Sequence, residues 1–75
     1  MNYCILYSVK WIENKEIDLG TYENFNDAIF AVESKIRYKL NDIGVYNEDI
    51  DYIEIIKLYK DIFKVYPEYI IKIIR

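Results

Sequence analysis

Tyr3, Ile5, Tyr7, Val9 and Trp11 alternate with Cys4, Leu6, Ser8 and Lys10, and no other stretch of the sequence limits its fold as tightly. Side chains that alternate with a period of two belong to a strand, because successive residues of extended backbone point to opposite sides. The even-numbered side is only partly polar, which predicts a central place in a sheet. Glu13, Asn14 and Lys15 read as a turn. Ile17 and Leu19 then alternate with Glu16 and Asp18 in a second strand ending near Gly20 or Thr21. The first twenty residues are therefore expected to form a hairpin.

Beyond the hairpin the period changes to that of a helix. Asn26 suits an N-cap, with Phe25 and Phe30 at the N′ and N4 positions of a hydrophobic staple. Ile29, Val32, Ile36, Leu40 and Ile43 recur at helical spacing, Glu33 and Arg37 stand four apart, and Gly44 fits the C′ position. These signals predict a helix from Asp27 to about Asp42.

The segment from Asp51 to Tyr66 sets propensity against periodicity. It is rich in Ile, Tyr, Phe and Val, which favours strands. Its charges, Asp51, Glu54, Lys57, Lys60, Asp61 and Lys64, recur at threes and fours, and Tyr52, Ile55, Ile56, Tyr59, Ile62, Phe63 and Tyr66 fill the opposite side of a helical wheel. Asp51 with Glu54 forms a capping box, and Ile50 with Ile55 its staple. The reading adopted is a second helix ended by Pro67; the alternative is two more strands joined near Lys60 and Asp61. Tyr69 to Ile74 then reads as a short strand beside the first. The expected architecture is a single α+β domain over residues 1–75, in the order ββααβ, with both helices on one face of a small sheet. The alternative order is ββαββ.

Composition narrows the chemistry. The 75 residues include no histidine, which removes the commonest general base and metal ligand, and one cysteine, Cys4, which forms no internal disulfide. Cys4 is expected to be a small packed residue of the first strand, kept reduced. Asn47, Glu48, Asp49, Ile50 and Asp51 superficially imitate a calcium loop, but Tyr52 stands where the tight turn needs glycine and Leu58 where the bidentate glutamate belongs. No catalytic residue, metal or cofactor is expected. A net charge of −3 disfavours a duplex nucleic-acid binder. The N-terminal apolar stretch is short for a secretion signal, and no uncharged run approaches a membrane span. The expectation is a cytoplasmic protein with no membrane partner.

Two features remain as candidate contact surfaces. Glu13, Glu16 and Asp18 make the hairpin acidic, and the preference of acids for helix N-termini does not account for them as it does for Asp27, Asp51 and Glu54. Nine tyrosines and Trp11 exceed what so small a domain can bury. Tyr3, Tyr7, Tyr52, Tyr59 and Tyr66 fit core-facing positions, whereas Tyr38 lies opposite the apolar stripe of the first helix. Leu58 and Val65 fall on the charged side of the second. Trp11, Glu13, Glu16, Asp18, Tyr38, Leu58 and Val65 are thus the expected partner-binding residues.

Isoleucine, tyrosine, lysine, asparagine and phenylalanine, all with AT-rich codons, make up 41 of the 75 residues. A short, acidic, motif-free chain of this composition is similar in style to the inhibitors that phages and mobile elements make against host defence, of the anti-CRISPR or anti-restriction type. That similarity implies a non-enzymatic viral protein in the host cytoplasm, blocking the nucleic-acid-binding surface of a host protein. The alternatives are a structural or regulatory homo-oligomer and a single-strand nucleic-acid binder that stacks bases on tyrosines of an open sheet face.

Overall fold

A computed structural model describes residues 5–45 and 50–74. Its elements are β1 (Leu6–Ile12), β2 (Glu16–Tyr22), α1 (Phe25–Asp42), α2 (Tyr52–Phe63) and β3 (Glu68–Ile74). The strands form one antiparallel sheet in the order β2-β1-β3, so the chain is a small α+β protein with β1 central, as the partly polar even face of that strand predicts. The segment with conflicting signals is helical: charges at threes and fours outweigh β-propensity because a helix puts Ile55 and Tyr59 on one buried side.

Two compact units meet within α1, between Val32 and Glu33. The first holds the sheet and the start of α1; its buried side chains are Val9, Trp11, Ala28 and Val32. Tyr7, on the same sheet face as Val9 and Trp11, meets Phe25 edge-on at 5.6 Å. Phe25 thus stacks on the sheet rather than on Phe30, which is exposed. The expected staple does not form, because the helix begins two residues earlier than its sequence signals suggest. Asn24 makes the entry in place of Asn26: its side-chain oxygen accepts from the Asn26 N–H at 2.8 Å and its carbonyl from the Ala28 N–H at 3.1 Å.

The second unit holds the rest of α1 and α2, and buries Ile36, Leu40, Ile55 and Tyr59. Ile43, expected in the stripe, is exposed because α1 ends just before it. There the Gly44 N–H donates to the Asn41 carbonyl and the Val45 N–H to that of Leu40, both at 2.9 Å. With Gly44 at φ 79° this is a Schellman ending, which uses glycine to satisfy otherwise orphaned carbonyls. Arg37 Nη2 bonds to Glu33 Oε1 at 3.0 Å and to the Ile50 carbonyl at 2.6 Å, fixing the chain that enters α2.

Asp51 caps α2 by accepting from the Glu54 N–H at 2.9 Å. The helix stops at Phe63, well before Pro67. Proline restricts only the residue preceding it, and Lys64 has already turned left-handed (φ 63°), its N–H donating to the Lys60 carbonyl at 2.8 Å. Tyr66 therefore lies outside the helix and is 60% exposed, contrary to the core position expected for it. The Lys60 ammonium sits 4.7 Å from the centre of the Tyr66 ring. Hydrogen bonding to the Tyr66 side chain, then the charge of its phenolate, raises the lysine above its ordinary pKa of 10.5. Tyr3, Cys4 and Tyr46 lie outside the described residues, as do Asn47, Glu48 and Asp49 of the rejected calcium loop.

Candidate functional site

Strand register divides the sheet into two unlike faces. Residues opposite each other in an antiparallel pair share a face. Tyr7, Val9 and Trp11 stand against Tyr22, Gly20 and Ile17 on one side and Ile73, Ile71 and Tyr69 on the other. This face carries the buried Val9 and Trp11 and every described tyrosine of the sheet. The other face carries Leu6, Ser8, Lys10 and Ile12 of β1, opposite Ile74, Lys72, Ile70 and Glu68 of β3. On its β2 side stand Thr21, Asp18 and Glu16.

That second face is open. Ser8, Lys10, Glu16, Ile70, Lys72 and Ile74 line a shallow depression of about 250 Å³. Ile70 and Ile74 remain 38% and 40% exposed there. Lys10 Nζ reaches Glu16 Oε2 at 3.5 Å between two partly exposed side chains. A pair this wet contributes about 0–1 kcal/mol and positions the two charges more than it stabilises them. The result is two exposed isoleucines, Ile70 and Ile74, with Lys72 between them on the strand and Lys10 and Glu16 beside Ile70. No aromatic ring stands on this face among the described residues.

The hairpin acids have local duties. Asp18 Oδ1 accepts from the Gly20 N–H at 2.8 Å, and Glu16 pairs with Lys10. Glu13, Glu16 and Asp18 are nonetheless all exposed around one end of the hairpin. Trp11 is not a contact residue: it is 1% exposed, because its place on the Val9 face puts the indole in the core. In the second unit Tyr38 is 65% exposed, with Lys35 Nζ 5.7 Å from its ring centre. Val65 is exposed beyond the end of α2, and Leu58 is half-buried.

Sequence reasoning passed over Ser8, Ile70, Lys72 and Ile74. Glu68, Ile70, Lys72 and Ile74 do alternate with Tyr69, Ile71 and Ile73, but only the register with β1 tells which set is left uncovered. Among the described residues no group of three or more histidines, cysteines or carboxylates could hold a metal, and no helix is long and apolar enough to cross a membrane. No protein-family model, curated protein or solved structure matches the chain.

Proposed function

We propose that this chain is a non-enzymatic protein-binding domain and that the open face of the sheet is its contact surface. The observation that carries this reading is the exposure of Ile70 and Ile74 on an uncovered sheet face, where they line one depression with Lys10, Lys72 and Glu16. A shallow depression of mixed apolar and charged lining suits a partner's side chain better than an enclosed substrate.

The narrower proposal is an inhibitor made by a phage or mobile element, acting in the host cytoplasm on a defence protein. It draws on the acidic hairpin beside the open face. Glu13, Glu16 and Asp18 would steer the domain toward a basic nucleic-acid groove, and the exposed Ile70 and Ile74 would then hold it there. Tyr38 and Val65, exposed in the second unit, offer further contact area.

The test is capture from a host lysate with the whole chain as bait, followed by affinity measurement on the captured protein. Ser8→Arg sets a long charged side chain in the middle of the open face and should abolish capture while circular dichroism stays unchanged. Reversing Glu13, Glu16 and Asp18 to Lys should slow association and remove most of its salt dependence. A folded Ser8→Arg protein that still captures the same partner would rule out the open face. Unchanged association in the charge-reversed variant would rule out steering.

A further inference from the structure

The outer edge of β3 is a row of backbone donors and acceptors with no strand beside it among the described residues. The backbone of the strand does nothing to discourage pairing. β3 runs in unbroken register with β1 over seven residue pairs, contains no glycine or proline, and carries Ile70, Ile71, Ile73 and Ile74. Natural sheets usually protect an edge with a bulge, a proline or an inward charge, since a bare flat edge recruits another strand. Its two charges, Glu68 and Lys72, are exposed, and neither has an ion-pair partner among the described residues.

We infer that β3 is the interface of a homodimer, in which two copies pair antiparallel about a two-fold axis at Ile70. This register places residue 68 of each copy opposite residue 72 of the other. Glu68 then faces Lys72 of the partner copy, twice, and two unpaired opposite charges become two cross-strand ion pairs. On the same face Ile70 stands against its own copy, and on the other face Tyr69 stands opposite Ile71, an aromatic to β-branched pair of the kind that stabilises sheets. An axis one residue further on, at Ile71, would set Glu68 against Ile74 and leave both charges unmatched, so charge complementarity selects the axis at Ile70. Because a two-fold interface is the same patch on both copies, the pairing closes on itself. It makes one six-stranded sheet and joins the two open faces side by side, doubling the surface assigned above to a partner. The dimer does not depend on that assignment.

Sedimentation velocity on the full chain, across the micromolar range and above, reads the outcome. The wild type should sediment as a dimer. Glu68→Lys and Lys72→Glu each turn both ion pairs into repulsions and should weaken the dimer about tenfold. The double variant E68K/K72E restores opposite charges and should return to within about threefold of wild type. Because the double variant restores pairing only if these two residues meet, its recovery separates a direct contact from a loss of fold. A strictly monomeric wild type overturns the inference, as do growing oligomers, insensitivity to the single reversals, or failure of the double variant to recover. Sedimentation is read on the chain alone and capture on a second protein, so either proposal can fail without the other.

Discussion

β2 and β3 have the same length and flank the same central strand, yet they treat their outer edges in opposite ways. In β2 the register breaks between Val9 and Lys10, so that Gly20 and Asp18 face consecutive residues of β1 and Leu19 is left over. This bulge bends the strand away from a regular ladder. Side chains of the strand also occupy its backbone groups: Asp18 takes the Gly20 N–H, and the Tyr22 hydroxyl donates to the Leu19 carbonyl at 2.7 Å. β3 keeps an unshifted register and has no such bulge. The contrast teaches that an edge is closed by backbone irregularity and local hydrogen bonds rather than by hydrophilicity alone, since both strands carry charge.

The strongest way to break the comparison is to remove the glycine on which the bulge depends. Gly20 has φ 116°, and a Cβ there would lie 3.0 Å from the Tyr22 hydroxyl. Gly20→Ala should cost roughly 1–3 kcal/mol in urea unfolding, from backbone strain together with displacement of the tyrosine. A smaller loss follows from Asp18→Ala, which releases the Gly20 N–H. Stability should fall by about 1 kcal/mol, and β2 should become a second pairing edge, seen as species larger than a dimer in sedimentation. Ile70→Lys is the converse and the gentlest change, since it gives β3 an edge lysine at a partly exposed site. Stability should move by about 0.5 kcal/mol or less, yet the dimer should disappear, because two ammonium groups would meet at the two-fold axis.

The elements themselves were largely legible. Alternation marked β1, the capping pair Asp51 and Glu54 marked the start of α2, and Gly44 marked the end of α1, because each is a local interaction between residues close in sequence. The misplacements share a cause. Asn24 and Asn26 are both competent caps, and the choice fell to Asn24 with Phe25 placed against Tyr7, a residue of another element. The early stop of α2 likewise followed from a left-handed lysine, which its residue type does not announce. The candidate site was less legible. Its acids were visible in the sequence, but Trp11 could be counted among contact residues because a large aromatic on a strand looks the same whether it faces core or solvent.

The sequence by itself determined where the chain is extended and where it is helical, and it limited the chemistry by leaving out histidine and supplying one cysteine. Only the tertiary structure decided which side of each strand is covered and which edge is left bare. Those choices depend on register between residues some sixty positions apart, such as Ser8 with Lys72. A shift of one residue there would exchange the buried and open faces without changing any local preference.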